Sequence, residues 1–397
     1  MPGEFEPAAL MAEAEARTGL RDYGGREFLE PLGVLCGSLD KEAPLSEVGR
    51  AQHRERLIGF LVNRLTLFEW IRRHPEIREE DIGAPVVIVG LPRTGTTMLY
   101  RMLAAAEGLT APLFYEAHRI APDFDWDFDP AHDSRIPEGD AAVAAMMQAM
   151  PELASIYPFE TMAPEESIFL YRGAFLSTGE QSQALIPAYN DWFRTADKTP
   201  AYEYLKLAAQ FLQWQRKRSG RHEAGARWLF KTPDHIHGLE ELIKVFPGVH
   251  IIQTHRDPIT TIPSICSFIH VMHGPTVARD DAEDIGDAWS RMFAGSMTRA
   301  MAIRERRPDR FCDVWYRDTV AEPRKVAETV FQFIGQPLTE AGWNEMQKWR
   351  DANQREARPA HAYTLEQFGL SEARIRDEFR EYRAKFIEPA SGREASE

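Results

Sequence analysis

The segment Gly90-Leu91-Pro92-Arg93-Thr94-Gly95-Thr96-Thr97 sets two glycines five positions apart, with one cation and three threonine hydroxyls in the same short stretch. A loop of this composition can wrap its backbone N–H groups around an anion, and a helix starting at its end adds partial positive charge to the cradle. The chemistry it would serve is the handling of a phosphate or a similar group. A nucleotide triphosphatase loop of this kind needs lysine after the second glycine. Here that position is Thr96, and the positive charge comes from Arg93 inside the loop. A tight glycine turn with no ligand is the alternative reading of the same residues.

Such a loop works only between a strand and a helix. Val86 to Val89 are four consecutive β-branched residues bounded by Pro85 and Gly90, which predicts a buried strand. Leu99, Met102, Leu103 and Ala106 then recur at helical spacing, with Gly108 placed to close that helix in the left-handed conformation. The alternation continues downstream. Residues 227 to 230 and 249 to 254 read as strands, with Leu239, Leu242, Ile243 and Phe246 forming a helix face between them. Residues 311 to 315 read as another strand, and Val326, Val330, Phe333 and Ile334 line one side of a helix beginning near Pro323. Strands alternating with helices predict an α/β fold, a P-loop-like parallel sheet flanked by helices.

Around that core, at 83–340, the pattern predicts helical extensions at both ends. Residues 1–82 mix Leu57, Leu61, Leu65 and Leu67 with Arg54, Arg56, Arg64 and Arg72, as in a helical segment packed on the core, and 341–397 form a helical tail. Residues 111–226 read as a helical insertion over the active edge of the sheet. It carries Phe114, Tyr115, Trp126, Tyr157, Phe159, Phe169, Tyr171, Trp192, Tyr202 and Trp214, rings that either fill an ordinary core or wall a site for an apolar acceptor.

Composition narrows the partners. With 397 residues and 44% hydrophobic content the chain can bury a sizeable core, which excludes a disordered or fibrous protein. A net charge of −14 repels a polyanion, so nucleic acid is not the expected partner. Cys36, Cys266 and Cys312 are odd in number and scattered, which fits a reducing compartment rather than a disulfide framework. The first residues are acidic where a secretory signal is basic, and no apolar run approaches the roughly 18 residues of a membrane span. A soluble cytoplasmic protein is the expectation. His235 and His237, two apart, point to different helix faces with no third ligand nearby, so no metal site is expected.

The loop LPRTGTT resembles the 5′-phosphosulfate loop of sulfotransferases that use 3′-phosphoadenosine 5′-phosphosulfate (PAPS). Many members of that bacterial-type branch read PRSGTT, so Thr94 replaces a serine and keeps the hydroxyl. The run RWLFKTPDHIHGLEELIKVFPGVHIIQTHRDPITTIPSICSF is similar to the family's lysine-bearing strand end, helix, strand and Arg-Asp pair, with Ser264 eight residues after Arg256. VWYRDTVAEPRKVAETVFQFIG, the tail HAYTLEQFGLSEARIRDEFREYRAKF and the APEES stretch with Glu165 and Glu166 also resemble bacterial members.

The resemblance implies a PAPS-dependent sulfotransferase moving a sulfuryl group in line to the hydroxyl of a small, apolar-leaning alcohol or phenol, with no metal. It implies that Pro92, Arg93, Thr94, Gly95, Thr96 and Thr97 bind the 5′ end, and that Arg256 and Ser264 hold the 3′-phosphate, which suits a guanidinium fork and a hydroxyl. Arg93 and Lys231 would then stand at the oxygen of the departing 3′,5′-bisphosphate. Tyr316 would lie against the nucleotide, or serve as a buried structural tyrosine. The family's base corresponds to Glu116, with His118 as its rival. Two other readings compete. One is a P-loop kinase or nucleotide hydrolase with Asp257 holding magnesium; the other is a nucleotide binder without turnover. Taken alone, Arg256 would read as an exposed arginine pairing with Asp257, itself the cap of the next helix.

Overall fold

A computed structural model describes residues 4–149, 159–274, 276–279, 281–353 and 363–391. The chain divides into two compact units, one comprising Met1–Gly83, Ala111–Gly225 and Met272–Asp280, the other Ala84–Thr110, Ala226–Val271 and Asp281–Glu397.

The second unit holds the sheet. Its five strands are β1 (Val86–Gly90), β2 (Leu109–Thr110), β3 (Arg227–Lys231), β4 (His250–His255) and β5 (Phe311–Trp315), in the order β2-β3-β1-β4-β5. All four pairings are parallel. Every residue of β1 is buried, as expected for a central strand covered on both faces. The strands predicted at 86–89, 227–230, 249–254 and 311–315 are present to within a residue at either end. Only β2 went unforeseen, because two residues carry no alternation to read. The helix after β1 spans Thr96–Ala104 and buries Leu99, Met102 and Leu103. It is capped at Ala105, so Gly108, at φ 81°, does not close it as the spacing suggested. Instead, Gly108 turns the chain into β2, and its carbonyl accepts from Arg227 N–H at 2.9 Å.

Parallel pairing has a direct consequence for chemistry. Ile88 lies beside Lys231 and Gly90 beside Thr254, so the glycine loop, the end of β3 and the end of β4 emerge at the same edge of the sheet. In open α/β sheets this carboxyl edge, flanking a central strand whose neighbours run off in opposite directions, is where ligands bind.

The first unit is helical. Phe5, Leu10, Leu32, Leu57, Leu61 and Leu65 share one apolar cluster with Phe175, Ile186, Tyr189 and Phe193, so the N-terminal helices and the 111–225 segment form a single core. Arg64, one of the arginines interleaved with those leucines, is 1% exposed. It donates to the carbonyls of Tyr23 and Gly173 at 2.8 and 3.1 Å, and its guanidinium lies 4.4 Å from the Phe28 ring centre. Of the rings noted in the insertion, Phe114, Tyr115, Trp126, Tyr171, Tyr202 and Trp214 are buried as core. Tyr157 lies outside the described residues.

Candidate active site

The loop after β1 is shaped from within. Thr94 is buried, and its hydroxyl donates to the Leu91 carbonyl at 2.7 Å and lies 2.6 Å from the hydroxyl of Thr254. That hydroxyl is therefore used on the loop itself, and what Thr94 can offer an anion is its N–H. Gly90 is obligatory, since a Cβ there would stand 2.3 Å from Thr254 Oγ1 and 2.7 Å from its carbonyl oxygen. Arg93 and Gly95 both adopt left-handed backbone, at φ 66° and 81°. For a non-glycine residue such as Arg93 this costs on the order of 1–3 kcal/mol, strain of the kind that persists at ligand clamps. The turn delivers the chain into the helix Thr96–Ala104 with Gly95 as its N-cap, so the N–H groups of its first turn open onto the loop.

The side chains named from the sequence converge on this turn. Lys231, fully buried at the end of β3, donates from Nζ to Thr97 Oγ1 at 3.1 Å and sits 5.6 Å from the Tyr100 ring centre. Arg93 Nε donates to Ser264 Oγ at 3.3 Å. Arg256 donates to the carbonyl of Arg93 at 3.1 Å, and its guanidinium lies 4.3 Å from the ring centre of Tyr316. That ring in turn covers Gly95, where a Cβ would come within 2.6 Å of Tyr316 Cδ2. Arg93, Gly95, Arg256, Ser264 and Tyr316 are thus one contiguous surface, although up to 223 residues separate them in the chain, from 93 to 316. Pro92 and Thr96 are buried beside them.

Asp257 does not pair with Arg256. It caps the helix Pro258–His273 by accepting from Ile259 N–H at 3.0 Å, and Arg383 binds both its oxygens, at 3.0 and 2.9 Å. Engaged on both sides, it is poorly placed to hold magnesium as the kinase reading requires. Arg383 and Thr254 are the residues that sequence reasoning missed; the first lies 126 positions from its partner and no local signal links the two.

A cradle of N–H groups at a helix start, lined with arginine, lysine and hydroxyls and closed by an aromatic ring, fits an anionic nucleotide in its chemistry. The profile of the sulfotransferase family matches residues 85–340 of the chain. The chain belongs to the sulfotransferase family. Among related proteins, the omega-hydroxy-beta-dihydromenaquinone-9 sulfotransferases Stf3 of Mycobacterium bovis and Mycobacterium tuberculosis are each 24% identical over 270 residues, covering 63% of this chain. The match spans 62% of the length of those relatives. The crystal structure of the sulfotransferase STF1 from M. tuberculosis H37Rv superposes with a TM-score of 0.82 at 25% identity, over 94% of this chain and 98% of that one. STF9 from Mycobacterium avium superposes at 0.84 with 24% identity, over 96% and 97%, and so shares the fold.

In this family member the two residues considered as base lie in the helical unit, on the short helix Phe114–His118. Glu116 is 0% exposed. Its Oε1 accepts from Arg216 Nε at 3.1 Å and faces the Tyr115 hydroxyl at 3.4 Å; its Oε2 accepts from Leu113 N–H at 3.0 Å and from Arg216 Nη2. A carboxylate has about four lone-pair sites, and all four are engaged. Burial alone would raise its pKa, but the charge and hydrogen bonds of Arg216 prevail and hold it below the usual carboxylate range. Such a group is a structural anion, ill suited to receive a proton from a substrate. His118 is the opposite case. Its ring stacks on Phe114 and Phe169, at 4.1 and 4.3 Å, and its Nε2 is buried with no hydrogen-bond partner. Burial first, and the nearby Arg172 second, push its pKa down to about 3, so the imidazole is neutral. It borders a cavity of about 20 Å³, room for one water, lined also by Phe60, Asn63, Phe169, Arg172 and Tyr204.

Among the described residues no helix is long and apolar enough to cross a membrane. His235 and His237 fall in a single 3₁₀ turn, Pro233–His237, and both are buried. His237 Nδ1 meets Ser296 Oγ at 2.7 Å.

Proposed function

We propose that this protein transfers the sulfuryl group of PAPS to the hydroxyl of a small, largely apolar acceptor. When bound, PAPS supplies an activated sulfuryl group whose departure leaves negative charge on the bisphosphate. Backbone N–H groups of residues 94–97 would receive the 5′ end, and Arg93 with Lys231 would meet the charge growing on the leaving oxygen, preorganised cations worth about 3 kcal/mol or more each. Arg256 and Ser264 would hold the 3′-phosphate, with Tyr316 as a flat wall beside it. The observation that carries this reading is the Arg256–Tyr316–Gly95 contact, which together with the Arg93–Ser264 hydrogen bond sets a second cation and a hydroxyl beside the glycine loop. A triphosphate needs no such second pocket, and the loop offers Thr96 where a kinase needs lysine.

For the acceptor proton we assign His118 in preference to Glu116 on hydrogen-bond accounting alone: His118 Nε2 has no hydrogen-bond partner, whereas both oxygens of Glu116 are engaged. The acceptor class draws support from the relative Stf3, whose name gives it an omega-hydroxy-beta-dihydromenaquinone-9 as substrate. We place the protein in the cytoplasm, consistent with three buried, unpaired cysteines.

Incubation with labelled PAPS and a panel of apolar alcohols and phenols in EDTA tests the reading. Labelled product should form without divalent metal. Magnesium-dependent consumption of ATP would overturn it, and tight binding of adenosine 3′,5′-bisphosphate without product from any acceptor would reduce the protein to a binder.

A further inference from the structure

The C-terminal segment, which the proposed reaction leaves without a task, grips the candidate nucleotide site from behind. After the helix Glu372–Glu378 the chain continues through Arg380–Tyr382, a π turn at Arg383–Ile387 and the helix Glu388–Ser391. Phe379, Tyr382, Arg383, Phe386 and Ala390 are all buried, although the segment ends the described chain. Its partners are not scattered. The Tyr382 hydroxyl meets His255 Nδ1 at 3.0 Å, and the His255 ring stacks on Phe386 at 4.4 Å and 10°. Arg383 binds both oxygens of Asp257. The Phe386 carbonyl accepts from Trp315 Nε1 at 2.8 Å, and the Ala390 carbonyl accepts from Arg317.

Residues 255 and 257 bracket Arg256, and residues 315 and 317 bracket Tyr316. The segment therefore holds both chain neighbours of each member of the Arg256–Tyr316 stack, and touches the two loops that must keep register for the guanidinium to lie 4.3 Å from the ring centre. His255 is further fixed from the other side, where its Nε2 lies 2.8 Å from Asp313 Oδ1 and Asp313 is bound by Arg304 at 2.7 and 2.8 Å. A π turn is an uncommon element that costs helix geometry and is found disproportionately at functional sites. Here it carries Arg383 and Phe386, two of the gripping residues.

We propose that residues 379–391 are a brace that positions Arg256 and Tyr316 for recognition of the 3′-phosphate, with Tyr382 and Arg383 as positioning residues that touch no nucleotide themselves. The inference rests on the reading of Arg256 as the 3′-phosphate ligand. It makes selectivity for a 3′-phosphorylated nucleotide depend on a segment over 120 residues away in sequence, Tyr382 being 127 positions from His255.

Calorimetry on the full chain, with adenosine 3′,5′-bisphosphate and adenosine 5′-monophosphate as paired probes, tests it. Arg383→Gln should weaken the bisphosphate about tenfold, a change of about 1.4 kcal/mol, while the monophosphate keeps its affinity. Tyr382→Phe, which removes one hydroxyl and tests the brace even if Arg383→Gln fails to fold, should move the ratio the same way by a smaller factor. Arg374→Gln breaks the pairs to Glu378 and Asp287 in the preceding helix without touching residues 255–257, and should leave the ratio as in the parent. Equal losses for both nucleotides in Arg383→Gln and Tyr382→Phe, or no loss in either, overturn the brace while leaving Arg256 in place. An unchanged ratio in Arg256→Ala removes the 3′-phosphate assignment, and the brace with it.

Discussion

Replacing Glu116 by glutamine separates a structural anion from a catalytic base. The amide can keep the Leu113 N–H on its oxygen, but its NH₂ then faces Arg216, and a guanidinium that is 7% exposed loses the carboxylate that binds it. Removing one partner of a buried pair costs about 3–5 kcal/mol. Unfolding entropy of about 2.1 cal/mol/K per residue over 397 residues amounts to ~0.8 kcal/mol/K, so the midpoint of thermal unfolding should fall by about 4–6 °C. The folded fraction should turn over at close to the parent rate. Glu116 is held below its unfolded pKa, so the pair stabilises the fold fully above the unfolded carboxyl value near 4.3, and the stability is lost as pH falls through the folded value. The gap between parent and variant should therefore be full at neutral pH and close on acidification. Differential scanning fluorimetry across pH, with initial rates on the same samples, reads both quantities. A variant with an unshifted midpoint and a rate reduced by the 10²- to 10⁴-fold typical of a lost base would refute this reasoning and return Glu116 to the chemistry.

Other perturbations probe the remaining parts. Lys231→Met keeps the buried stem and removes the charge, and should lower kcat by about 10²- to 10³-fold with little change in bisphosphate affinity; a parental kcat would remove Lys231 from the leaving-group site. Gly95→Ala must hold φ at 81° and push a methyl group to 2.6 Å from Tyr316, so calorimetry should show bisphosphate binding weakened by at least about tenfold, and unaltered binding would mean that the turn is no ligand clamp. His118→Phe, sized for its stack between Phe114 and Phe169, should bind the bisphosphate normally and lose turnover by about 10²-fold or more; full activity would end its assignment as base.

Much of the candidate site was legible in the sequence. A run of β-branched residues ending in glycine, followed by helical periodicity, can hardly be anything but a strand, a tight loop and a helix, and parallel pairing then brings every loop at the strands' carboxyl ends to one edge. The positions of Arg93, Lys231 and Arg256 follow from that rule, because each sits at or just beyond a strand end. Tyr316, singled out by the family resemblance, is the first residue after β5, and the sequence left open whether it faces a nucleotide or the core.

What the chain order alone determined was thus a set of local periodicities and the edge at which their ends must meet. Only the tertiary structure decided which charges are spent. Glu116 reads as available because its partner, Arg216, lies 100 positions away, and Asp257 reads as a match for Arg256 until Arg383 arrives from 126 positions downstream. Periodicity encodes which face of an element is apolar, a property of neighbours along the backbone. Ion pairing inside a low-dielectric core depends on distances of about 3 Å between groups that only packing brings together, and no spacing along the sequence records them.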